Sequence, residues 1–90
     1  MGGIDLMVDQ IEVTVANMGN GVERLVSSVV LLGPPFVPAY AKALDLDDER
    51  ARSFLFAGAR REGLELPIDD TMRGAVWEAR GETHIRAWRA

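Results

Sequence analysis

His84 is the single histidine of the chain and the side chain best suited to acid–base catalysis near neutral pH. A catalytic role would require a nucleophile within hydrogen-bond reach. The candidate hydroxyls are those of the three serines, Ser27, Ser28 and Ser53. All three fall inside segments predicted to be helical, with no sharp turn to present them. The neighbouring acids Asp69 and Asp70 point in different directions and are typical of a helix cap. The sequence therefore predicts no catalytic residues and a protein that is not an enzyme.

An acidic run at residues 45–49 could in principle attract a metal ion. A calcium-binding loop needs glycine at its sixth position and glutamate at its twelfth, whereas counting from Asp45 these positions hold Arg50 and Phe56. The chain has no cysteine, which excludes thiolate metal sites. The glycine-rich stretch at 19–21 lacks the lysine–hydroxyl pair of a phosphate loop. We therefore expect neither a metal nor a cofactor.

Charge is unevenly distributed along the chain and has a formal total of −4. Residues 1–49 carry eight acids against Arg24 and Lys42, whereas residues 50–90 carry eight arginines against six acids. An acidic total disfavours non-specific binding to nucleic acid, so no nucleic-acid partner is expected.

The strongest pattern is a heptad-like seam of apolar residues in the first third of the chain. It consists of Ile4, Val8, Ile11, Val15, Met18, Val22, Leu25, Val29 and Leu32. Alternating spacings of four and three, with valine throughout one class of positions, are typical of a two-stranded coiled coil. The pattern predicts a long helix, straight or kinked, over residues 4–32, about 43 Å in length. Such a helix exposes a ridge that the remaining residues are too few to cover.

A second interpretation of the same segment remains open. Gly19 and Gly21 are unfavourable inside a helix. Apolar and polar residues alternate over residues 10–16, as they do in a half-buried strand. The alternative is therefore an α+β protein with a strand at 10–16, a turn at 17–21 and a helix at 22–32.

The remaining residues, 33–90, are predicted to form a small helical head within one domain spanning residues 1–90. Proline, aspartate and glycine positions suggest helices from Pro38 to Leu44, over 47–62 and over 70–80. Trp88 is a candidate anchor for a partner because it is interleaved with arginines, and Trp77 is another because it lies off the main apolar stripe of its predicted helix. The predicted fold class is accordingly mainly α.

These observations favour a non-enzymatic structural or adaptor protein that self-associates through the seam, with Trp77 and Trp88 as further interface residues. One alternative is a small acidic regulator or inhibitor that binds a larger protein. Another is a helical hairpin dipping into a membrane, because residues 25–41 are largely apolar but interrupted by prolines. The start of the chain lacks the pattern of a signal peptide, so the cytoplasm is the expected location.

Overall fold

A computed structural model describes residues 9–32 and 35–90, and within these ranges it is mainly antiparallel β-sheet with one helix. The elements are β1 (Gln10–Gly19), β2 (Val22–Val30), β3 (Lys42–Leu44), α1 (Glu49–Arg61), β4 (Met72–Ala79) and β5 (Glu82–Arg89). The strands form one sheet in the order β2-β1-β5-β4-β3. The helix packs on one face of this sheet, against β1, β2 and β5. We call the opposite side of the sheet the open face.

The prediction of a mainly α protein with a long helix over residues 4–32 is wrong, and so is the coiled coil. Residues 10–19 and 22–30 are the strands of an antiparallel hairpin. The alternative interpretation placed a strand at 10–16, which lies within β1, but its helix at 22–32 is β2. Residues 1–8, including Ile4 and Val8 of the seam, lie outside the described residues.

The misleading heptad spacing has a simple origin in strand geometry. A step of four residues keeps the same face of a strand, as from Ile11 to Val15, so both strand and helix satisfy it. The step from Met18 to Val22 spans the hairpin turn. Val26 is an extra residue opposite the Thr14–Val15 step of β1, and this β-bulge reverses the alternation of faces. The seam therefore does not follow one face of the sheet, because Val22 and Val29 point to the open face whereas Leu25 between them points towards the core.

Two of the predicted C-terminal helices are also strands. The segment predicted as a helix from Pro38 to Leu44 ends in β3, and the predicted helix at 70–80 is β4. The tail beyond residue 81 is β5, which pairs with both β1 and β4. The helix predicted at 47–62 coincides with α1, whose first turn is capped by the Asp48 carboxylate accepting from the Ala51 amide at 2.9 Å.

Both hairpins close through two-residue turns with positive φ at each residue. Asn20 and Gly21 join β1 to β2, and Arg80 and Gly81 join β4 to β5. This is the type I′ geometry, whose twist matches that of paired strands and which favours asparagine followed by glycine. The Asn–Gly pair explains locally why the first third of the chain folds back as a hairpin.

The core lies between the sheet and α1. Its fully buried large side chains are Ile11, Val13, Val15, Leu55 and Ile85. The three from β1 occupy alternate positions and share the face covered by the helix. Their neighbours Glu12 and Thr14 therefore face the open side.

The segment at residues 35–41, which we call the strap, crosses the open face. It belongs to the connection between β2 and β3, the strands at opposite edges of the sheet. Its Phe36 carbonyl accepts a hydrogen bond from the Nη1 of Arg86, a residue of the central strand β5. The helix α1 therefore covers one face of the sheet, and the strap covers part of the open face.

Gly58 sets how closely the helix approaches the sheet, and replacing it tests that packing. A Cβ at this position would overlap Cγ1 of the buried Val13 and lie 3.2 Å from Cβ of Ser28. We expect Gly58→Ala to lower the free energy of unfolding by about 1–3 kcal/mol, because overpacking outweighs the gain of about 1 kcal/mol in helix propensity. Urea denaturation measures the change. Ser53→Ala, at an exposed site of the same helix, is the control, and a Gly58→Ala protein as stable as the control contradicts the packing.

Candidate functional site

The outer edge of β2 combines exposed apolar side chains with a strand that is paired on one side in the described residues. β2 is nine residues long and pairs with β1 on one side, and no other strand within residues 9–32 and 35–90 lies beside it. Val22 and Val29 point to the open face and expose 57% and 47% of their surface. The strand therefore presents both unpaired backbone groups and apolar side chains, the combination that recruits another strand.

Few of the features that usually block edge pairing occur in β2. Within residues 22–30 there is no proline and no lysine, and Arg24 is the sole base. The bulge at Val26 is the main irregularity. The opposite edge is formed by β3, which is three residues long and directly follows the strap. The sheet thus has one protected edge and one receptive edge.

The acid of β2 is neutralised inside the molecule. Glu23 faces the helix side, where the Arg50 guanidinium of α1 donates to both carboxylate oxygens, with Nε 2.6 Å from Oε1. These hydrogen bonds hold the pKa of Glu23 below its ordinary value. The receptive edge consequently carries little net charge to repel a second copy of itself.

This ion pair predicts a specific pH dependence of stability. A carboxyl with a depressed pKa in the folded state stabilises the fold above its unfolded pKa and loses that contribution as the pH falls through the folded value. We expect Glu23→Gln to flatten the stability profile below the ordinary glutamate value of 4.5, with a loss of about 0.5 kcal/mol at pH 7 because the pair is partly solvated. Urea titrations between pH 2 and 7 test it, and parallel profiles for the two proteins would contradict it.

The structure separates the residues that the sequence grouped as an interface. Ile11 and Val15 are fully buried in the core, and Leu25 is half-buried against it. Met18, Val22, Val29 and Leu32 are exposed, with Leu32 exposing 93% of its surface. Val22 and Val29 lie on β2, Met18 lies near the end of β1, and Leu32 follows β2.

The two tryptophans lie on the open face of the sheet. Trp77 is 9% exposed and stacks in parallel on the His84 ring, with 5.4 Å between centroids. The Arg86 guanidinium lies 5.5 Å from its ring centroid. Trp88 is half-buried and is paired across the strands with Gln10 and Arg73. Trp77 therefore belongs to a packed cluster, which leaves little of its surface for a partner.

A polar cluster surrounds Trp77 on the central strands. Arg86 donates to the Glu12 carboxylate through Nε at 2.9 Å and through Nη2. The second oxygen of Glu12 lies 3.3 Å from Nδ1 of His84, which is also 3.4 Å from the Thr14 hydroxyl. Glu12, His84 and Arg86 each expose less than a fifth of their side-chain surface. The carboxylate thus binds two bases at once and anchors the strap through Arg86.

Sequence reasoning considered His84 together with the three serines and did not connect it with Glu12. The two are 72 positions apart and meet because β1 and β5 are adjacent, with Glu12 opposite Arg86 and Thr14 opposite His84. The alternation of apolar and polar residues in Thr83–Arg89 was the available signal.

Metal binding and membrane spanning find no structural support within residues 9–32 and 35–90. There, no cluster of three or more histidine, aspartate or glutamate residues is arranged to hold a metal ion. In the same residues, no helix combines the length and apolar character needed to cross a bilayer.

The chain matches no protein-family model, no curated protein and no solved structure. Its function has to be inferred from the geometry of the β2 edge and of the polar cluster.

Proposed function

We propose that the chain is a non-enzymatic protein-interaction module that self-associates by pairing the outer edge of β2 with a second copy. The observation that carries this proposal is the long edge of β2, which is paired on one side in the described residues and has Val22 and Val29 exposed beside it, with Arg24 as its exposed charge. Pairing would satisfy backbone groups of both copies and cover these valines in one step.

A second copy is the partner that fits this edge most simply. Two identical strands can pair antiparallel about a two-fold axis, which makes one edge complementary to itself. Glu23 is neutralised by Arg50, so the two edges meet without an unpaired carboxylate on β2. The formal charge of −4 is small enough for two copies to associate at physiological ionic strength.

The compartment that we propose is the cytoplasm. The chain has no cysteine and so cannot form the disulfides that commonly stabilise small secreted domains.

Mass in solution tests self-association directly. Light scattering should give about twice the monomer mass of 9.9 kDa at high concentration and a fall towards 9.9 kDa on dilution. A constant mass of 9.9 kDa up to about 100 µM would contradict the proposal, since it places any dissociation constant above that value. A stable complex with an unrelated chain and no dimer would instead favour the role of an acidic regulator.

A further inference from the structure

The cleft between the strap and the hairpin of β4 and β5 has the features of a small-molecule site. It has a volume of about 490 Å³, within the range typical of ligand pockets. Three aromatic residues line it, Trp77 from the sheet and Phe36 and Tyr40 from the strap. Phe36 and Tyr40 are largely exposed, so their surfaces are available to a ligand ring.

Two of the charged side chains that line the cleft form an ion pair with each other, and two others form none. Glu12 and Arg86 bind each other on the floor of the cleft. Arg80 and Glu82 also line it, yet neither forms an ion pair or side-chain hydrogen bond within the part of the chain that the structure describes. They do not pair with each other either. The cleft therefore offers one free cation and one free anion beside an aromatic wall.

The position of Arg80 supports a role for its side chain. It occupies the first residue of a type I′ turn with φ of 57°, a conformation that asparagine, aspartate and glycine adopt most readily. The equivalent residue of the other hairpin is Asn20, which follows this preference. An arginine at a strained position that borders a cleft points to a function that outweighs the cost.

We propose that this cleft binds a small aromatic zwitterion, of which a free aromatic amino acid is the simplest example. Arg80 receives the carboxylate, Glu82 receives the ammonium group, and the ring lies against Phe36 and Tyr40. A simple anion bound to Arg80 would also face the negative charge of Glu82. A simple cation bound to Glu82 would leave Arg80 without a partner. The zwitterion satisfies both charges and the aromatic wall together.

Calorimetry with four probes separates these contributions. L-Phenylalanine carries the ring and both charges, 3-phenylpropionate lacks the ammonium, phenethylamine lacks the carboxylate, and L-alanine lacks the ring. We expect phenylalanine to bind with a saturable signal. Each of the other three probes should bind at least about tenfold more weakly than phenylalanine. Absence of saturable phenylalanine binding, or equal binding of phenylalanine and 3-phenylpropionate, would overturn the proposal.

Two variants assign the charges. Arg80→Asn should weaken phenylalanine and 3-phenylpropionate about tenfold without affecting phenethylamine, and Glu82→Gln should weaken phenylalanine and phenethylamine but not 3-phenylpropionate. Asparagine suits the turn, so Arg80→Asn should keep or raise the melting temperature. Arg60→Gln, at an exposed position of α1 outside the cleft, is the control. Unchanged phenylalanine affinity in both cleft variants, or equal losses in the control, would overturn the assignment.

Discussion

On the proposed pairing of β2 edges, Val29→Lys is expected to give a monomer. Val29 lies on the open face beside the outer edge of β2, and 47% of its surface is exposed. In a paired edge this side chain is covered by the second copy, so a lysine there would be desolvated against that copy. Natural proteins place lysine on edge strands to block such pairing. Light scattering should show the monomer mass at concentrations where the unmodified chain is a dimer, a dissociation constant raised at least about a hundredfold.

A matched substitution at the other edge distinguishes edge pairing from a general effect of charge. Ala43 is exposed in β3, the short strand at the opposite edge. Ala43→Lys adds the same charge and should leave the mass of the dimer unchanged. Dissociation by both variants, or by neither, would show that β2 is not the contact surface. Circular dichroism should give the same strand content for both proteins, since both positions are exposed.

Glu12→Ala is expected to lower the free energy of unfolding by about 3 kcal/mol. The carboxylate is largely buried and binds both Arg86 and His84, so its removal leaves a guanidinium without its counter-charge under the strap. The cost arises mainly from this uncompensated charge and less from the loss of a favourable contact. Urea denaturation at pH 7 measures the effect.

The corresponding double variant tests this cause. Glu12→Leu with Arg86→Leu removes both charges and supplies apolar volume, so it should be more stable than Glu12→Ala despite carrying one more substitution. The coupling energy between the two sites should be at least about 1 kcal/mol. Additive losses from the separate substitutions would show that the pair does not act as a unit.

The part of the fold that local chemistry determines could be predicted from the sequence. An aspartate before a run of helix-forming residues and Gly63 after it indicated a helix at 47–62, and α1 lies within that range with Asp48 as its N-cap. A turn at 17–21 was part of the alternative interpretation, and the strand signal at residues 10–16 was visible as alternation. These signals concern neighbours in sequence, and they require no knowledge of what packs against the segment.

The strands after residue 22 could not be recognised in the same way. β2 contains a bulge at Val26, which breaks the two-residue alternation of the strand. Its apolar residues Val22, Leu25 and Val29 therefore have a heptad-like spacing in the sequence. β4 begins after Asp69 and Asp70, which resemble a helix cap, although Asp69 accepts from the Thr71 amide in a turn at 2.8 Å. Hydrogen bonds from Thr71 and Arg89 also hold the pKa of Asp69 below its ordinary value, as a hydrogen bond from a helix amide would. The same pair of aspartates therefore fits both a helix cap and the turn that precedes a strand.

The candidate surfaces depended on tertiary structure even more strongly. Ile11 and Val29 look equivalent in the heptad pattern, yet one is buried beneath α1 and the other is exposed at the edge. The side of the sheet and the strand order together make this difference, because Ile11 points towards α1 whereas Val29 points to the open face of a strand that has a neighbour on one side in the described residues. Strand order is a non-local property that a single sequence does not display.

Hydrogen exchange of the β2 amides, measured at two protein concentrations, tests most directly whether this edge receives a second copy. The amides of Val22–Val30 that point away from β1 should exchange more slowly above the dissociation constant than below it, while those of Lys42–Leu44 in β3 should exchange at the same rate. If the mass doubles with concentration while exchange in β2 stays constant, association occurs elsewhere on the molecule and the edge-pairing account is wrong.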